Sequence, residues 1–134
     1  MLRGSSKALP QMTSWITICD TCKREGWETG DMAWTDGEKL AALVEAVAVG
    51  LPTLRTRRVS CTMGCERACN VTVQGKAKLN YTLGKFEPTE EAAQAIVDWA
   101  LLHAESVSGQ VPYRQWPQGV KGHFVTRHPP LPEE

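Results

Sequence analysis

Apolar and polar positions alternate along four short stretches of this chain and recur at helical spacing along two longer ones. The run Trp15-Ile16-Thr17-Ile18 alternates and is rich in aromatic and β-branched types, which predicts a first strand delivering Cys19 at its end. Thr35-Asp36-Gly37-Glu38 has the form of a capping box, and Leu40, Leu43, Val44 and Val47 follow at helical spacing until Gly50 and Pro52 stop the turn. From Thr53 to Ser60, Leu54 and Val59 flank Arg55, Arg57 and Arg58, predicting a second strand that runs into Cys61. Val71-Thr72-Val73, the turn Gln74-Gly75-Lys76 and the alternating Leu79, Tyr81 and Leu83 read as a hairpin. Gly84 to Pro88 breaks it. Thr89 then caps a second helix to about Ser106, with Glu90 and Glu91 where the helix dipole favours negative charge and Ala92, Ile96, Trp99 and Ala100 on the buried face.

The order is therefore strand, helix, strand, strand, strand, helix. The first two strands, joined through a helix, are expected to lie parallel by a right-handed crossover, with the hairpin adding antiparallel strands. This predicts an α/β, thioredoxin-like fold: a four-stranded mixed sheet with two main helices and a proline-rich C-terminal arm. Residues 1–13 read as a flexible lead, 14–108 as the domain and 109–134 as the extended arm, where Pro112, Pro117, Pro129, Pro130 and Pro132 rule out another long helix or central strand. In that arm Tyr113, Trp116, Phe124 and Val125 are expected to pack on the domain or on a twin subunit.

At 134 residues the chain is long enough for one hydrophobic core. Its 15 basic and 15 acidic residues cancel, so no net field argues for nucleic acid or an anionic membrane. No stretch approaches the ~18 apolar residues needed to cross a bilayer, and Met1 to Met12 lacks the apolar middle of a secretory signal. A cytoplasmic setting is expected, where structural disulfides are rare and clustered cysteines serve as metal ligands or reactive thiols.

The five cysteines fall into two such clusters. Cys19 and Cys22 form a close pair, and Cys61, Cys65 and Cys69 recur every fourth residue about forty positions later. Both groups follow predicted strand ends, so one edge of the sheet is expected to collect them. Thiolates in this number suit an iron–sulfur cluster or a structural zinc ion. A thiol–disulfide enzyme using Cys19-Asp20-Thr21-Cys22 accounts for two of the five, and Lys23 to Trp34 does not read as the helix that such a motif opens. His103, His123 and His128 have no paired motif and read as packing or surface residues; no hydrolase triad or phosphate-cradling loop appears. An electron carrier or metal-binding protein is therefore expected rather than a stand-alone enzyme. Arg55, Arg57, Arg58, Lys76 and Lys78 form a candidate docking face for an acidic redox partner, with ordinary solubility as the alternative.

The cysteine pair, the run Cys61-Thr62-Met63-Gly64-Cys65-Glu66-Arg67-Ala68-Cys69, the hairpin end Tyr81-Thr82-Leu83-Gly84 and the tail from Val111-Pro112-Tyr113-Arg114 to Arg127-His128-Pro129-Pro130 resemble a small bacterial family of predicted metal-binding proteins. Genes of that family often neighbour those for cobalamin synthesis, which implies a role in cobalamin or cobalt metabolism. More distantly, the strand order and the Cys61/Cys65 spacing resemble thioredoxin-like [2Fe–2S] ferredoxins. That resemblance implies single-electron transfer through a [2Fe–2S] cluster held by Cys19, Cys22, Cys61 and Cys65, redox partner proteins and a homodimer. Cys69 is then a spare thiol, an alternative ligand or a ligand in place of Cys65. The alternatives are a [4Fe–4S] cluster, a zinc or cobalt metallochaperone without redox activity, and the thiol–disulfide protein.

Overall fold

A computed structural model describes residues 13–20, 35–60 and 69–132. The elements run β1 (Ser14–Cys19), α1 (Asp36–Ala48), β2 (Leu54–Val59), β3 (Val71–Gln74), β4 (Asn80–Leu83), α2 (Glu90–Glu105), a 3₁₀ turn (Tyr113–Gln115) and β5 (Phe124–His128). The expected lead over residues 1–13 lies almost entirely outside the described residues.

The strands form one mixed sheet in the order β2-β1-β3-β4-β5. β1 and β2 are parallel, with Ser14 opposite Leu54 and Cys19 opposite Val59. β3 returns antiparallel along the other side of β1 and pairs with β4 as the predicted hairpin. The expectation of four strands is corrected by β5, which adds a fifth strand antiparallel to β4. Its position explains why alternation did not reveal it: an edge strand has one neighbour, and none of its residues is buried. Pro129 and Pro130 follow at once, which an edge tolerates and a central strand does not.

Alternation divides the sheet into two unlike faces. Ile16, Ile18, Val71, Val73, Tyr81 and Leu83 are buried on one face, in a single cluster with Leu40 and Val44 of α1 and Ile96, Trp99 and Ala100 of α2. Both helices cover this face. Arg58, which shares it with Leu54, makes a bidentate ion pair with Glu45 of α1 at 2.8 Å per bond. Ser14, at the start of β1, bonds across to His103 of α2. The opposite face carries Trp15, Thr17, Arg55, Arg57, Thr72 and Thr82. No helix among the described residues is long and apolar enough to cross a membrane.

The helix starts follow their sequence signals. The Thr35 hydroxyl accepts from Glu38 N–H at 3.0 Å while the Glu38 carboxylate accepts from Thr35 N–H at 2.8 Å, the reciprocal pair of a capping box, worth about 1 kcal/mol. Thr89 caps α2 through Ala92 N–H at 3.1 Å.

Candidate metal centre

Three segments meet where β1 ends. Cys19 N–H donates to the Asn70 carbonyl at 3.4 Å, and Asp20 N–H donates to the Val59 carbonyl at 2.9 Å. The chain leaving β1 is thereby held between the last residue of β2 and the residue that introduces β3. Cys61 follows two residues after Val59, and Cys69 directly precedes Asn70.

The start of α1 is fastened to the same place. The Thr35 hydroxyl that caps the helix donates its own proton to the Asp20 carbonyl, so one side chain ties helix to strand end. Gly37 completes the contact, because a Cβ there would overlap the Cys19 carbonyl oxygen and lie 3.0 Å from Asp20 backbone carbons. Glycine lets the first turn of α1 rest directly on the backbone that presents Cys19.

Cys19 is 2% exposed and Cys69 fully buried. Cys69 N–H donates to the Phe86 carbonyl at 3.4 Å and its carbonyl accepts from Phe86 N–H at 3.2 Å, which extends the β3–β4 pairing past its end. Lys85 takes a φ of 63° beside this bridge. Cys22, Cys61 and Cys65 lie outside the described residues. The described chain therefore brings Cys19 and Cys69 to one end of the sheet, together with the junctions that lead to the other three. Among the described residues, no group of three or more His, Cys, Asp or Glu side chains is arranged to hold a metal.

None of the three histidines joins that end as a ligand set. His103 sits at the far end of β1, about 17 Å from Cys19 by the rise of a strand. Its ring is buried: Nε2 lies 2.7 Å from the Leu79 carbonyl, which can only accept, so Nε2 carries the proton and Nδ1 accepts from the Ser14 hydroxyl at 2.6 Å. Burial pushes its pKa down to about 4, with the Leu79 bond opposing and the nearby Lys78 charge assisting. His123 stacks on Phe86 with centroids 4.3 Å apart and bonds the Gly84 carbonyl at 2.8 Å, while His128 lies opposite Asn80 at the exposed edge.

The candidate basic face is also revised. Lys78 is fully buried, and its ammonium donates to the carbonyls of His103 at 2.9 Å and Ala104 at 2.6 Å, closing the C-terminus of α2. Burial lowers its pKa. Arg58 points to the helix side, where its bond to Glu45 raises its own pKa and lowers that of the carboxylate. Neither belongs to an outward docking face.

Sequence reasoning missed the Ser14–His103 bond and the Lys78 cap. Their one signal was a lysine directly before an alternating apolar run, which is indistinguishable from a surface turn without the partner helix.

A family model described as "Protein of unknown function (DUF1636)" matches residues 16–130, and the chain belongs to that family. No curated protein matches it. Among solved structures, the thioredoxin-like [2Fe–2S] ferredoxin from Aquifex aeolicus is similar with a TM-score of 0.54 at 15% identity, covering 88% of this chain and 94% of that one. At that identity the likeness concerns the fold, which is thioredoxin-like.

Proposed function

We propose that this DUF1636 member is a one-electron carrier whose thiolates Cys19, Cys22, Cys61 and Cys65 hold a [2Fe–2S] cluster. The observation that supports the reading is that β1 and β2, after whose ends the two cysteine groups follow in sequence, lie adjacent and parallel in a sheet whose fold resembles a structure titled as a ferredoxin. The donor chemistry fits: each iron of such a cluster takes two ligands, and thiolate sulfur suits iron. When bound, the cluster supplies a site that accepts and releases one electron.

The protein's own contribution is rigidity and dryness. Backbone bonds from Cys19 and Asp20 on both sides of β1, and a helix start resting on the Cys19 carbonyl, fix the backbone that presents its thiol. Its near-complete burial keeps water from that ligand, a condition that tunes the potential of a cluster. Cys69, in the hydrophobic core, is read as a packing residue. The resembled family's gene setting makes cobalamin or cobalt chemistry the first place to seek an electron acceptor.

The second reading is a structural or carried zinc, favoured by the Cys19-x-x-Cys22 spacing common in zinc sites. Visible and electron paramagnetic resonance spectra of anaerobically purified protein separate the two. A red-brown sample that bleaches on dithionite and gains a spin-one-half signal supports the carrier. A colourless sample, silent after reduction and after reconstitution with iron and sulfide, sinks it.

A further inference from the structure

The face of the sheet opposite both helices has a pattern that packing does not explain. A single row crosses it in register, Arg57–Thr17–Thr72–Thr82–Thr126, one residue from each strand. Beside it run Arg55, Trp15 and Gln74. No residue of β1 to β5 on this face is Asp or Glu. A chain of zero net charge thus places Arg55 and Arg57, with no carboxylate among the strand residues, on one face of the sheet.

Arg57 is built into that surface rather than loosely attached. Its Nε donates to Thr17 Oγ1 at 2.7 Å and its Nη2 to Gln74 Oε1 at 3.0 Å, and the guanidinium carbon lies 5.9 Å from the centre of the Trp15 ring. Every one of these partners is neutral. The contrast with the adjacent Arg58, neutralised by Glu45, is direct. Among the described residues, the Arg57 charge has no carboxylate, and its Nη1 hydrogens have no acceptor. Next to it lies a depression of about 230 Å³ lined by Trp15, Arg57, Gln74, Gly75 and Lys76. Trp15 is 41% exposed at its rim.

A guanidinium fixed by neutral side chains retains its full attraction for an anion and loses little entropy on binding one, and its fork matches a carboxylate. Tryptophan and arginine are two of the residue types that carry most binding energy at protein interfaces. We propose that this face, free of helices among the described residues and centred on Arg57 and Trp15, is a docking surface for an acidic protein partner, one carboxylate of which enters the depression between Arg57 and Lys76. A face that runs across five strands favours a protein surface over a small ligand, and the absence of a net positive field disfavours nucleic acid. Cys19 lies on β1 two residues beyond Thr17, about 7 Å along the strand, so a partner seated here is beside the candidate metal centre. This supplies the partner chemistry of the electron-carrier reading, and it is tested by binding alone, so that either can fail without the other.

The test is fluorescence anisotropy of a dansyl-labelled, glutamate-rich peptide of about ten residues titrated with the full chain at about 20 mM salt. Saturable binding is expected, weakened about five- to tenfold by Arg57→Gln, the loss of one charge-assisted pair. Trp15→Ala and Lys76→Gln, at exposed positions, weaken it about two- to fivefold. Arg58→Gln, on the other face, leaves it within about twofold. Absence of binding, equal affinity for Arg57→Gln and wild type, or equal losses at Arg57 and Arg58 would overturn the proposal. So would tighter, Arg57-dependent binding of a labelled oligothymidine of similar length.

Discussion

Acidification is expected to weaken this fold through His103. The ring is fully buried, gives its Nε2 proton to Leu79 and accepts at Nδ1 from Ser14, so the neutral form satisfies both nitrogens. Adding a proton buries a charge near the Lys78 ammonium, whose own bonds go to the carbonyls of His103 and Ala104. The folded pKa of about 4 lies below the ordinary 6.5, so the unfolded chain binds more protons between these values and stability rises with pH there. The contribution is complete above about pH 6.5 and is lost as pH falls toward 4. At ~1.4 kcal/mol per pH unit, the interval is worth about 3 kcal/mol, of which about 2 is gone by pH 5. Urea denaturation of wild type and His103→Gln, followed by circular dichroism at steps from pH 7.5 to 5, reads this directly. The variant is less stable at pH 7.5, and its stability falls by about 2 kcal/mol less than that of wild type across the range. Parallel pH dependences, or a His103 ring titrating near 6.5 by NMR, would refute the reasoning.

Further predictions follow from the neighbouring contacts. Lys78→Ala strips two buried carbonyls of their donor at the end of α2 and is expected to cost about 2–4 kcal/mol, measured by the same denaturation. Gly37→Ala forces α1 off the Cys19 carbonyl; it should destabilise by about 1–3 kcal/mol and lower iron content more than Thr35→Ala, which loses the cap on Glu38 N–H and the bond to the Asp20 carbonyl at about 1–2 kcal/mol but adds no clash. Cys69→Ser should keep metal while losing stability, whereas Cys65→Ser should lose metal; the reverse outcome would move the ligand assignment to Cys69.

How far the sequence reached depended on how local each signal was. The capping box at Thr35, the cap at Thr89 and the alternation around Ile16, Val71 and Tyr81 involve residues close in sequence, and each became the element it predicted. The delivery of Cys19 by the end of β1, with β2 parallel beside it, was legible for the same reason. β5 was not, because Phe124–His128 buries no residue and pairs with β4 alone, so its pattern carries little of the alternation that burial imposes. Nor were Lys78 and His103 legible as buried groups. Their partners lie as far as 89 residues away, at Ser14, and only the packed helix–sheet interface makes an inward lysine and a neutral histidine favourable. The same logic separated Arg57 from Arg58: adjacent in sequence, they fall on opposite faces, and among the described residues only Arg58 meets a carboxylate.

The most direct test of the carrier reading is the iron, zinc and acid-labile sulfide content of the full chain purified anaerobically. The account predicts about two irons and two sulfides per chain, both lost together in Cys19→Ser. Zinc in stoichiometric amount, or protein without sulfide after reconstitution, would contradict it.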